Sequence, residues 1–133
     1  MSKNLAAPIP DNVEDAARSI VDCAFRVHSG LEPGLIESVY EACLVHELLK
    51  RSIGVERQVT LPVVYDGIRL DAGLRLDLRV ENAVIVEIKA IERLLPVHEA
   101  QILTYLKLTG LRLGLLINFN VPRIKDGIRR MIL

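Results

Sequence analysis

Between Leu74 and Lys89 the chain alternates with a period of two, and no other stretch restricts its fold as tightly. Leu74, Leu76, Leu78 and Val80 fall on one face of a strand, with Arg75, Asp77 and Arg79 on the other. Glu81-Asn82-Ala83 is a turn, after which Val84, Val86 and Ile88 alternate with Ile85, Glu87 and Lys89. Residues opposite each other in an antiparallel pair point to one face, so the two apolar sets meet only when their position numbers sum to an even value. A three-residue turn predicts Val80 opposite Val84, Leu78 opposite Val86, Asp77 opposite Glu87 and Arg75 opposite Lys89. The second strand is apolar on both faces apart from Glu87 and Lys89, which predicts a central position in the sheet.

The flanking sequence supplies the other layers. From Val13 to Val27 apolar residues recur at helical spacing, with Asp11 as N-cap and Glu14 three residues on in a capping-box pattern, and the helix is expected to end near Ser29-Gly30. Gly30-Leu31-Glu32-Pro33-Gly34 is a turn. A second helix follows from about Leu35 to Arg51, with Ile36, Val39, Tyr40, Cys43, Leu44 and Leu48 as its apolar stripe. Val55 to Tyr65 reads as a strand carrying Pro62 at an edge or bulge, and Asp66-Gly67 turns it into a strand from Ile68 to Val80, with a break allowed at Ala72-Gly73. A helix from Pro96 to Thr109 is stopped by Gly110, Leu111 to Phe119 is a buried strand, and Ile124 to Leu133 is a final strand or short helix. The order predicts an α/β chain, a mixed sheet flanked by helices.

With 133 residues, half of them hydrophobic and 26% charged, the chain fits one domain over residues 11–133 behind a flexible lead-in over residues 1–10. Seventeen basic and seventeen acidic residues cancel, which excludes the class that holds nucleic acid by bulk positive charge. The charge is nevertheless segregated: from Gln101 onward six basic residues, Arg129 and Arg130 among them, face only Asp126. Cys23 and Cys43 have no paired or zinc-ligand spacing and read as buried small hydrophobes. There is neither a signal-peptide pattern nor an apolar run of membrane-spanning length, so a cytoplasmic protein is expected.

Asp77 opposite Glu87 puts two carboxylates about 5 Å apart at their Cβ atoms, with Lys89 beside them. Two readings are open. The three are solvated residues of an open sheet face, balanced by Arg75 and Arg79; or they are a partly buried acidic pair that a hard divalent ion such as Mg²⁺ or Mn²⁺ neutralises.

Further motifs surround this pair. Gly34-Leu35-Ile36-Glu37-Ser38-Val39-Tyr40 resembles the Gly-x-x-Glu-x-x-Tyr signature of the GxxExxY proteins, a group within the PD-(D/E)xK nuclease-like superfamily. Asp77 followed by Glu87-Ile88-Lys89 resembles the superfamily's Asp and Glu-x-Lys core, with Leu76 where its name motif has proline. Pro96-Val97-His98-Glu99-Ala100-Gln101 with Tyr105 is similar to the family's helix and to the Gln-x-x-x-Tyr motif of RecB-like nucleases. The resemblance covers Glu14 to the C-terminus.

The resemblance implies a restriction-endonuclease-like core and a metal-dependent nuclease acting on DNA or RNA. It makes Asp77, Glu87 and the Ile88 carbonyl ligands of Mg²⁺ or Mn²⁺, with Glu37 as a further ligand or water-holder. Lys89 would position or deprotonate the attacking water, while Gln101 and Tyr105, one helical turn apart, would orient Lys89 or a substrate phosphate. Tyr40, one turn from Glu37, would hold that carboxylate or pack in the core, and His98 would touch substrate or serve as a structural hydrogen bonder. The rival expectation is an inactive module of the same fold that binds nucleic acid or protein, with Arg129 and Arg130 as its contacts. A homodimer, formed through Met131-Ile132-Leu133 or an edge strand, fits either reading.

Overall fold

The computed structural model describes residues 7–133. Its elements are α1 (Asp11–Leu31), α2 (Glu37–Lys50), β1 (Val55–Tyr65), β2 (Ile68–Val80), β3 (Val84–Lys89), α3 (Pro96–Thr109), β4 (Leu113–Asn118), a 3-10 turn (Ile124–Gly127) and β5 (Ile128–Ile132). The final segment is thus both of the expected alternatives, a helical turn and then a strand.

The five strands lie in the order β1-β2-β3-β4-β5. Only β3 and β4 run parallel, because α3 carries the chain back across the sheet between them. The expected register holds where the strands pair: Leu78 faces Val86 and Val80 faces Val84. Burial of every β3 residue but the half-buried Lys89 follows from its central position. Pro62 sits at a register shift between Leu61 and Val63, as expected of a residue without a ladder donor. β2 continues as one strand through Ala72-Gly73, but its ladder to β1 is interrupted there, since residues 71–73 have no partner across the register shift.

Two cores form on the two sides of the sheet. Ile20, Cys23 and Ala24 of α1 and Tyr40, Leu44 and Leu48 of α2 pack with Leu78, Val80, Val84, Val86, Ile88, Leu115 and Ile117. Ile102, Tyr105 and Leu106 of α3 pack with Leu61, Leu76, Ile85 and Leu116 in a smaller cluster. Each fully buried aliphatic side chain contributes about 1.5 to 3 kcal/mol relative to exposure. Gly114 of β4 lets α3 come close, since a Cβ there would stand 2.8 Å from Ile102 Cδ1 and 3.5 Å from the Ile85 carbonyl oxygen.

Several local expectations are corrected. Leu74 and Leu76 do not share a core with Leu78 and Val80 but belong to the cluster under α3. Val55 and Val59 of β1 are divided in the same way, so the hairpin changes sides around Gln58 and Asp77. Asp11 is the first residue of α1 rather than its cap; the Pro10 carbonyl accepts the Val13 and Glu14 N–H groups, and Glu14 pairs with Arg130. Ile36 is exposed on the N-terminal side of α2, and Cys43 is half-buried. Within the expected lead-in, the Ala7 and Pro8 carbonyls accept hydrogen bonds from Arg112, which ties those residues to the body of the fold; residues 1–6 lie outside the described residues.

Candidate active site

The hairpin of β2 and β3 ceases to be a backbone ladder at its Asp77 and Glu87 end. Beyond Leu78 and Val86 no further residue pairs join the two strands. The Asp77 N–H donates to Glu87 Oε2 at 2.7 Å, and the Ile88 N–H donates to Asp77 Oδ2 at 2.8 Å. Each carboxylate therefore holds the other strand's backbone, and each keeps one oxygen outside this clasp. Asp77 and Glu87 are neighbours, as the register predicts, but side chains take the place of main-chain bonds. The expected pairing of Arg75 with Lys89 is absent from this ladder; Lys89 stands opposite Asn118 of β4.

Glu87 is 3% exposed. Burial, then the charge of Asp77, pushes its carboxyl up to about 8, against the pull of the Asp77 N–H and of Lys89. Burial also raises Asp77, opposed mainly by the Ile88 hydrogen bond, and the charge of Glu41 adds to the rise. Of the two readings left open, the structure supports the buried acidic pair rather than an open solvated face. Lys89 faces both carboxylates closely enough to lower each, without cancelling the repulsion.

Glu37, the first residue of α2, is exposed, and its charge adds to the rise of Glu87. Tyr105 comes from α3 on the other side; burial, then Glu87 and Asp77, pushes its phenol up to about 12, and its hydroxyl donates to the Arg75 carbonyl at 3.3 Å. Gln101 is half-buried one turn earlier on the same helix. Four elements thus converge on the carboxylate pair.

Other expected residues are engaged elsewhere. Tyr40 is fully buried, stacks on Phe119 at 4.7 Å between ring centroids, donates its hydroxyl to the Glu32 carbonyl at 2.5 Å and accepts from the Leu35 N–H. It therefore fastens the turn before α2 instead of holding Glu37 or meeting substrate. His98 Nδ1 accepts the Leu95 N–H at 2.9 Å, so the ring closes the first turn of α3, the structural alternative of the two weighed above. Arg129 pairs with Glu99 of α3, and Arg130 pairs through two nitrogens with Glu14 of α1. The two guanidiniums are thus paired with carboxylates of two different helices.

Three residues near the site escape sequence reasoning. Glu41, one turn after Glu37, is buried and receives Arg57 and Gln58. Gln58 also approaches Asp77 Oδ1 at 3.4 Å. Asn118, 1% exposed, receives the Ile91 N–H and donates to the Ile91 carbonyl, which fixes the chain leaving β3. Glu41 and Asn118 sit at apolar-looking positions of their elements, and burial of a polar residue was the one signal available for them.

A divalent ion fits the donors present. The oxygens are hard, two of them lie outside the clasp, and a divalent ion would take the place of the proton that burial and the charge of Asp77 keep on Glu87. Among the described residues no three His, Cys, Asp or Glu side chains form a ready metal cage. A small, hard ion that retains water and shares a substrate phosphate suits such a two-carboxylate site.

No curated protein matches the chain. A solved structure described as "Crystal structure of SSO0001" is similar to it with a TM-score of 0.47 and 19% identity, covering 98% of this chain and 72% of that one. A family model described as the PD-(D/E)XK nuclease superfamily matches residues 14–131, and nucleases of that superfamily generally use divalent metal ions. With the match spanning both helices of one layer, the whole sheet and the carboxylate pair at its centre, the chain belongs to the PD-(D/E)XK nuclease superfamily.

Proposed function

We propose that this chain is a nuclease that hydrolyses phosphodiester bonds of DNA, with RNA as the other candidate substrate, and that it uses Mg²⁺ or Mn²⁺. The superfamily itself implies a nucleic-acid substrate. The observation that carries the reading is the reciprocal clasp: Asp77 and Glu87 are locked by each other's strand while one oxygen of each is left over beside Lys89.

In this reading Asp77, Glu87 and the Ile88 carbonyl hold the ion, and Glu37 supplies a further carboxylate or holds water. A bound divalent ion would polarise a phosphoryl oxygen and lower the pKa of a water. Lys89 positions or deprotonates that water and offers positive charge to the phosphate. Gln101 and Tyr105 orient Lys89 or the phosphate from α3; the Tyr105 phenol, held protonated, acts only as a donor. Residues 11–133 form the single catalytic domain, and within the superfamily the Gly34 to Tyr40 signature aligns the chain with the GxxExxY proteins and their RecB-like relatives.

Calorimetric titration of Mn²⁺ into wild type, Asp77→Ala and Glu87→Ala tests the site, followed by incubation of each with DNA and RNA. Mn²⁺ binding and cleavage by wild type alone is the expected result. If wild type binds nucleic acid yet cleaves neither polymer with Mg²⁺ or Mn²⁺, and Asp77→Ala binds equally well, the chain is a binding module instead.

A further inference from the structure

Gln58 and Glu41 have no part in the roles assigned above, yet their geometry is directed at Asp77. Glu41 is 8% exposed, and both its oxygens are occupied: Oε1 accepts Gln58 Nε2 at 2.8 Å, and Oε2 accepts Arg57 Nε at 3.2 Å. Gln58 Nε2 lies 3.4 Å from Asp77 Oδ1, the oxygen that the Ile88 N–H does not hold. The amide nitrogen therefore stands between two carboxylates and presents one hydrogen to each.

The backbone at this point is unusual. Gln58 has φ 51, a left-handed conformation inside a strand at a position with no glycine. It is also where the hairpin passes from one core to the other. A non-glycine residue held there needs a compensating interaction, and the bonds to Glu41 and Asp77 supply it. The residue type suits the task. A neutral amide donates twice without bringing a positive charge that would compete with a cation, and asparagine is one methylene too short for the same reach.

We propose that Gln58 is a positioning residue that, anchored by Glu41, aims the free Oδ1 of Asp77 at the divalent ion. This rests on the reading of Asp77 as a metal ligand. The experiment measures Mn²⁺ affinity by calorimetry, thermal unfolding, and DNA cleavage in wild type, Gln58→Gly, Gln58→Asn and Asp77→Ala. Glycine and asparagine both tolerate the left-handed backbone, so relief of strain offsets the lost bond to Glu41 and the thermal midpoint is expected to fall by no more than a few degrees. Both should bind Mn²⁺ about 10-fold more weakly or worse, the usual effect of losing a group that orients a ligand. At limiting Mn²⁺ both should lower kcat while KM for DNA stays unchanged, and excess Mn²⁺ should restore kcat in part.

Equal Mn²⁺ affinity in wild type and Gln58→Gly, with binding abolished in Asp77→Ala, overturns the positioning role and leaves the metal site standing. Loss of affinity accompanied by a matching loss of thermal stability makes the role structural and also overturns it. Failure of wild type to bind Mn²⁺, alone or with a phosphorothioate oligonucleotide, overturns the metal site and the positioning role together.

Discussion

The two ends of the β2 and β3 hairpin are built from the same strands and solve opposite problems. At the turn, Val80 and Val84 lie in an ordinary ladder under the α1 and α2 core, with apolar side chains on the face that meets those helices. At the other end the main-chain donors of Asp77 and Ile88 turn to carboxylates, and the ladder stops. The end of a ladder is usually where a sheet frays. Here it is a place where backbone donors hold two carboxyl groups in a site that barely exposes one of them, and the repulsion that keeps a proton on Glu87 is what a cation would relieve. Stability should reside at one end and chemistry at the other, and substitutions can separate them.

The largest separation is expected in pH. Glu87 is pushed up to about 8 from an ordinary value of 4.5, so between these values the folded chain keeps a proton that the unfolded chain has released. Stability of the metal-free protein is therefore full below about pH 4.5 and falls as pH rises through about 8, by roughly 5 kcal/mol across the window. Thermal unfolding from pH 4 to pH 9 would show that slope, and Glu87→Gln should flatten it. Mn²⁺ added at pH 8 should recover much of the loss, since it binds the deprotonated pair; an equal loss in Glu87→Gln would place the titrating group elsewhere.

Next comes the ladder end. Leu78 is fully enclosed, and Leu78→Ala should cost about 3 kcal/mol in chemical denaturation by leaving a cavity. Mn²⁺ affinity of the folded fraction should not change, and a parallel loss of affinity would show that the two ends are one unit. Asp77→Asn inverts this pattern. The amide oxygen can still accept the Ile88 N–H, so the thermal midpoint should hold or rise, while DNA cleavage drops by more than about 100-fold, a larger loss than orienting groups cause.

Smaller effects sharpen the contrast. Tyr105→Phe removes one hydrogen bond of 3.3 Å and should cost about 1 kcal/mol or less in stability, so any larger fall in kcat measures its part in the chemistry. Arg129→Ala and Arg130→Ala should do least: both guanidiniums are engaged by Glu99 and Glu14, and cleavage should persist at the wild-type rate. A drop in DNA affinity in either variant would mean that its ion pair opens to admit phosphate.

Much of this arrangement is legible in the sequence because it follows from periodicity and punctuation. The pairing of Leu78 with Val86 comes from parity alone, and Pro96 with the left-handed Gly110 bounds α3 at both ends. The change of sides at Asp77 is not legible, since Leu74, Leu76, Leu78 and Val80 alternate without interruption on paper. It depends on carboxylates taking backbone hydrogen bonds, an interaction between residues ten and eleven positions apart that no local pattern encodes. Gln58 is hidden for a related reason: its left-handed backbone is sustained by Glu41 and Asp77, not by a glycine that a reader would notice. Tyr40 misleads in the other direction. Its place in a short signature suggests chemistry, and its ring and hydroxyl are wholly absorbed by Phe119, Glu32 and Leu35.

Gly114 carries a consequence for the height of α3. A methyl group at that position would strike the side chain of Ile102, which is completely enclosed. Ile102 and the helix that carries it would have to give way, and the Tyr105 phenol that feels the charge of Glu87 belongs to the same helix. The height of the Tyr105 phenol beside the carboxylates thus depends on a contact between two residues that have no chemistry of their own, and an alanine at position 114 would retune the site without touching any of its charged atoms.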